Sequence, residues 1–168
     1  MAELQRITTE YVDAEDRIRL NGELGSGHAP VVLWLTQRLL QRLLPVLLKG
    51  LQRPEAGADL AYADMLHGFA QQAAQANLLP EPPVQAAQHS AAWLVLSVDI
   101  AQSAESVCLT FKAADGRQAS LTLAETPLRQ WLGIVYHACL KAGWPLQVWP
   151  QWLQESRQPA VQPVVVLH

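Results

Sequence analysis

TPLRQWLGIVYHACLKAG, residues 126–143, decides the fold class, because it reads as a helix with apolar side chains around most of its circumference. Thr126 is a natural N-cap, and Pro127 suits the first helical position, where no backbone N–H is needed. Gly143 is placed to end the helix in a left-handed residue, and Lys141 suits the negative end of the helix dipole. Leu128, Trp131, Leu132, Val135, Cys139 and Ala142 recur at helical spacing, while Ile134, Tyr136, Ala138 and Leu140 widen the apolar surface beyond one stripe. A helix of this kind needs cover on two sides. It would reach about 27 Å, but Arg129, Gln130, His137 and Lys141 argue against a membrane crossing.

The flanking segments supply strands for one of those covers. Residues 106–113, SVCLTFKA, put Val107, Leu109 and Phe111 on one face, and QASLTLAE does the same with Ala119, Leu121 and Leu123. Between them, Asp115–Gly116 is a strong hairpin signal. WLVLSVDIA, 93–101, is a further strand. In the first half, Ile7, Thr9 and Tyr11 share a face of the strand 4–12, Asp13 to Asp16 form an acidic turn, and RIRLNGEL, 17–24, alternates cleanly. VVLWL, 31–35, is a continuous apolar run, as in a strand covered on both faces. Thr36 then caps a helix with Leu39, Leu40, Leu43, Leu47 and Leu51 on its apolar face, and Pro45 should kink it. A second helix, 55–77, carries Leu60, Met65 or Leu66, Phe69, Ala73 and Ala76 as its expected packing line. Residues 79–90 form a Pro-rich linker, and 144–168 a Trp/Pro-rich tail with a short helix from Pro150 and a possible edge strand at its end.

The chain of 168 residues is long enough for one hydrophobic core, so 1–168 is read as a single domain. Half of its residues are hydrophobic and only 16% are charged, which hints that a partner covers some surface. Net charge is −3, with no prior for nucleic acid or for an anionic membrane. Residues 1–53 carry seven basic and six acidic side chains, residues 54–105 none and six, and residues 106–168 five and three. Cys108 and Cys139 fall in apolar segments and read as buried thiols rather than a disulfide. The N-terminus has no apolar signal region, which gives a cytoplasmic and, from composition, bacterial expectation.

Residues 4–51 and 93–143 share a plan of three strands and a helix, an order-and-spacing signal of internal duplication. The fold class is therefore α+β: two such units forming antiparallel sheet or sheets packed on helices, with an extra helix between the halves. This order resembles that of the single-stranded nucleic-acid-binding proteins of the Whirly and Pur-α type. The resemblance is topological, without a matching sequence motif, so no functional residue is carried over.

Arg17 and Arg19 on one strand, with Arg38 and Arg42 on the following helix, make a candidate basic patch. A nucleic-acid groove wants more cations and stacking aromatics, and Glu10, Asp13, Glu15, Asp16 and Glu23 dilute the field. Six tryptophans are many for this length. Trp34, Trp93 and Trp131 read as core. Trp144, Trp149 and Trp152, with Tyr136 and Leu140, are candidate interface residues, the competing reading being that the tail closes the core. His28, His67, His89, His137 and His168 show no metal-ligand spacing, and nucleophile and phosphate-loop motifs are missing, so neither cofactor nor catalytic residue is assigned. His67 with Asp64 reads as surface chemistry.

The sequence therefore points to a non-catalytic binding or assembly protein, homodimeric through the last long helix or the tail, or bound to a protein partner not identifiable from the sequence. A single-stranded nucleic-acid binder and an acidic secretion-chaperone-like dimer are the alternatives. Oligonucleotide binding with a steep salt slope would mark the first, and co-purification with a client chain the second. No membrane partner is expected.

Overall fold

A computed structural model describes residues 2–52 and 59–156. Seven strands, β1 (Ala2–Val12), β2 (Arg17–Leu24), β3 (Val31–Leu35), β4 (Ala92–Leu94), β5 (Ser97–Gln102), β6 (Ser106–Lys112) and β7 (Gln118–Ala124), form one sheet in the order β4-β3-β2-β1-β7-β6-β5. The helices are α1 (Gln37–Leu51), α2 (Leu60–Ala76), α3 (Glu125–Ala142) and α4 (Gln151–Gln154). The class is α+β, as the sequence indicates. The sheet is mixed, which corrects the antiparallel expectation. Within each meander the strands are antiparallel, but β1 meets β7 in parallel at Ala2–Ala119 and Glu3–Ser120, and β3 meets β4 in parallel.

The sheet curls. Its two edge strands, β4 and β5, are consecutive pieces of one stretch of chain, joined by Val95 and Leu96. The Val95 N–H donates to Trp34 O at 3.0 Å and the Leu96 N–H to Lys112 O at 2.9 Å, so pairing passes from β3 to β6 within two residues. The expected strand 93–101 is thus two strands, divided where it changes neighbours. At the β1–β7 seam the pairing is short and α3 packs on both strands, while α1 packs on β5.

Strand alternation places the core as read. Ile18, Leu20, Leu33, Leu35, Leu109, Phe111, Leu121 and Leu132 are buried in one cluster with Leu40, Leu43, Leu44, Leu47 and Leu48 of α1. Val32 is also buried, so β3 is covered on both faces. The Pro-rich stretch is seated on the neighbouring strands β1 and β2, with Val84 buried. The Val84 N–H donates to Thr8 Oγ1 at 2.8 Å, and Asn21 Nδ2 donates to Val84 O at 3.1 Å. The β6–β7 hairpin closes through a three-residue turn with Gly116 at φ 89°, where only glycine is unstrained.

Thr36 caps α1 through its hydroxyl oxygen, which accepts from the Leu39 N–H at 3.2 Å, and the helix continues through Pro45. α3 starts at Glu125, with Ala124 and not Thr126 at the cap, a shift of the size expected at helix ends. Its C-terminus is as read. Gly143 has φ 68°, its N–H reaches Leu140 O, and the Trp144 N–H reaches Cys139 O, both at 3.1 Å. α4 follows Pro150 as expected. The start of the expected helix 55–77 and the proposed edge strand at the chain end lie outside the described residues, and α2 begins after Asp59, whose carboxylate caps Ala61 N. Among the described residues no helix is long and apolar enough to cross a membrane.

Leu132, fully buried where α3 meets the sheet, tests this packing. Leu132→Ala should cost about 2–5 kcal/mol in chemical denaturation, and a loss below about 1 kcal/mol would show that α3 is not seated in the core.

Candidate interaction surface

α2 is mounted the wrong way round for an amphipathic helix. Its described inward residues are His67, Gln71, Ala74 and Gln75, of which Gln71 and Ala74 are buried. Its large apolar side chains point to solvent: Tyr62, Met65, Leu66 and Phe69 are 54, 48, 47 and 58% exposed. This corrects the expected packing line. Met65, Leu66, Phe69, Ala73 and Ala76 do share a face, but that face looks outward, and Leu60 at the first turn is exposed as well.

The reason lies on α3. Arg129 is buried, and a guanidinium out of water demands charged or polar neighbours. Glu125, one turn earlier, pairs with it at 3.1 Å. From α2, His67 Nδ1 accepts from Arg129 Nη2 at 3.1 Å, which requires a neutral ring. Gln71 Nε2 donates to Arg129 O at 2.8 Å, and Gln130 Nε2 donates to Ala74 O at 2.9 Å. Trp152 of α4 completes the mount. It stacks on His67 with ring centroids 5.2 Å apart, and the Arg129 guanidinium lies 5.6 Å from the Trp152 ring centre.

Gly133 makes the approach possible. A Cβ there would meet Gln75 Nε2 at 3.0 Å and Gln71 Nε2 at 3.4 Å, so a side chain on α3 would crowd the two amides that seat α2. Gln71 Oε1 and Arg129 Nη1 have no hydrogen-bond partner among the described residues, which adds a desolvation penalty to the docking. α2 is thus held by a few directed polar contacts and little buried apolar area, the signature of an element at the low end of local stability.

The residues singled out in the sequence fall into separate places. Trp144, Trp149 and Trp152 are 7, 3 and 6% exposed and pack into the core of their own chain. Wrapping the tail back over α3 is what hides them, so they are not presented to a partner. Tyr136 is half-buried with an edge contact to Trp149 at 5.4 Å, and Leu140 alone of this group is exposed, at 45%. Trp144 also anchors the acidic turn. Its indole Nε1 donates to Asp16 Oδ1 at 3.0 Å, the same oxygen that takes the Tyr11 hydroxyl proton donor at 2.8 Å. That bond to a carboxylate pushes the Tyr11 phenol up to about 12. Burial pushes the Cys139 thiol up to about 11, and Cys108 is half-buried.

The candidate basic patch is divided. Arg19 pairs with Glu10 and lies 5.9 Å from the Trp34 ring centre on the outer side of β2. Arg38 and Arg42 instead line a groove of about 480 Å³ between α1 and the β4–β5 stretch, floored by Leu39, Val95 and Ile100. His137 is exposed, and Asp99 pairs with Lys112. Among the described residues no group of three His, Cys, Asp or Glu side chains could hold a metal ion.

Sequence reasoning missed Arg129, His67 and Gln71. Two signals carried them: a glycine inside an otherwise strong helix, and His67, Gln71 and Gln75 repeating every four residues on α2. No family model matches the chain, and no curated protein or solved structure matches it.

The mount should respond to acid. Burial first, then the Arg129 guanidinium, holds His67 below its ordinary range, against opposing pulls from Asp64 and Glu125. The unfolded imidazole, at about 6.5, therefore takes up protons before the folded one does. Stability from this group is complete above about 6.5 and is lost as pH falls below it. Thermal unfolding should move down between about pH 7.5 and pH 5.5, with a smaller slope in His67→Gln. An unchanged slope in that variant would assign the titration to another group.

Proposed function

We propose that this chain is a non-catalytic assembly protein that acts through protein–protein contacts and self-associates. The observation that carries the reading is the outward apolar face of α2. A helix that can bury Tyr62, Met65, Leu66 and Phe69 against its own core, and instead turns them out, leaves a contiguous apolar patch of a few hundred Å², the size that often marks a functional surface. Interfaces are centred on such aromatic and Met-rich patches, rimmed by polar residues. Here the rim is Asp64, Gln72, Gln151 and Glu155, which line a groove of about 340 Å³ between α2 and α4. The buried polar cluster under α2 serves the mount: Arg129 lies beneath the helix and its partners hold it there. We place the protein in the cytoplasm.

We also read residues 4–51 and 93–143 as copies of one unit. The support is topological. In each unit the third strand leads into a helix that packs against the other unit, α1 on β5 and α3 on β1. Superposing one unit on the other tests this, and a helix landing on the wrong side of its strands would sink the duplication.

The double change Met65→Asp, Phe69→Asp tests the assembly role. Both side chains point outward, so fold stability should change by no more than about 0.5 kcal/mol each. In extracts of expressing cells the unaltered chain should elute well above its 18.5 kDa monomer mass, and the variant at that mass. An unaltered chain that elutes as a monomer overturns the proposal.

A further inference from the structure

We infer that the occupant of the α2 face is a second copy of α2, laid antiparallel across a two-fold axis at Phe69. The inference rests on reading α2 as an interaction face, and it adds the partner and the geometry.

The outward residues of α2 are graded in size. Tyr62, Met65 and Leu66 fill the first half of the face, Gln72, Ala73 and Ala76 the second, with Phe69 between them. In an antiparallel pair related by a two-fold axis at Phe69, every residue meets the one equally far beyond Phe69 in the other copy. Tyr62 then meets Ala76 of the second copy, Met65 meets Ala73, Leu66 meets Gln72, and Phe69 meets its own equivalent. Tyr62, Met65 and Leu66 each lie against a smaller side chain, with the two Phe69 rings meeting at the axis, an arrangement that spreads volume evenly along the contact. A parallel pair sets Tyr62 against Tyr62 and Ala76 against Ala76, overfilled at one end and empty at the other. The face fits its own reverse, as an isologous interface must.

Charge points the same way. No charged side chain stands among the outward residues Tyr62, Met65, Leu66, Phe69, Gln72, Ala73 and Ala76, and Asp64 and Glu155 lie at the rim, in the groove beside α4. A second copy therefore buries no charge at the centre of the face. Tyr62, Met65, Leu66 and Phe69, the four large exposed side chains of this face, present on the order of 400 Å² of apolar surface, about half of what each partner buries in a standard interface, so the pair is a small contact.

Cysteine pairing in the full chain tests both occupant and direction, with Cys108→Ser removing the half-buried native thiol. The purified protein should have twice the 18.5 kDa monomer mass at micromolar concentration. Phe69→Cys should form a disulfide dimer on mild oxidation. A mixture of Tyr62→Cys and Ala76→Cys chains should cross-link at least about tenfold faster than either alone, because the pair holds those positions at high effective concentration. Faster self-linking of Tyr62→Cys overturns the antiparallel arrangement. A purified chain that stays monomeric, while the chain in extracts keeps its larger mass, overturns the second copy and self-association with it, and leaves only contact with a different protein standing. A purified monomer that binds phosphatidylcholine vesicles overturns the second copy in favour of a lipid surface.

Discussion

A buried arginine governs how α2 sits on this molecule. Arg129 sits at 3% exposure on a helix that otherwise presents apolar side chains, and an unpaired charge there would cost several kcal/mol. Whatever covers α3 at that point has to be polar. Glu125 supplies the opposite charge from the same helix, and α2 supplies His67 and Gln71 from above. A helix that turns its polar stripe inward has only one place left for its apolar stripe. The outward face of α2 is thus a consequence of where one guanidinium was placed.

The rest of the fold provides the platform for that arrangement. α3 is covered on one side by β1, β7 and β6 and on the other by α2 and the tail, which answers the two-sided demand its composition makes. Polar bonds tie the layers together at their aromatic residues. The Trp131 indole donates to Thr9 Oγ1 at 3.1 Å, and Trp144 reaches Asp16. Buried tryptophan needs such acceptors, and β1 provides both, one on the strand and one in the turn that ends it. α1 has no comparable second cover, and its outward face carries Gln37, Arg38, Gln41 and Lys49, as an ordinary surface helix does.

What was legible in the sequence was local. Alternation in residues 17–24, 106–112 and 118–124 fixes which side chains enter the core, Thr36 and Gly143 mark helix ends by their own chemistry, and Asp115–Gly116 marks the hairpin. The parallel contact between β1 and β7 was not legible, because it joins residues over a hundred positions apart through two backbone pairs. The orientation of α2 was not legible for a different reason. Periodicity reveals that a helix has two faces, and hydrophobicity ordinarily decides which is inward. Here that decision is reversed by Arg129, whose burial is a tertiary fact. The tryptophan cluster of the tail was visible as a cluster, yet burial rather than presentation is decided by how α4 folds back on α3.

Mounting α2 by its apolar face would have been the stronger choice for folding alone. Burying roughly 400 Å² of apolar surface at about 25 cal/mol per Å² is a gross gain on the order of 10 kcal/mol, far more than a few polar contacts return when Gln71 Oε1, Gln75 Oε1, Arg129 Nη1 and Trp152 Nε1 go without partners among the described residues. The present arrangement leaves that free energy unused within the chain and available to association, where it has to exceed the entropy of bringing two molecules together. Binding and docking then reinforce each other. Anything that binds α2 in its mounted position stabilises the mount by mass action, so the weak polar seat and the strong apolar face act as one coupled device. An acid-sensitive histidine inside the seat makes proton concentration a variable in the same equilibrium, because charging His67 beside Arg129 loosens the helix that carries the face.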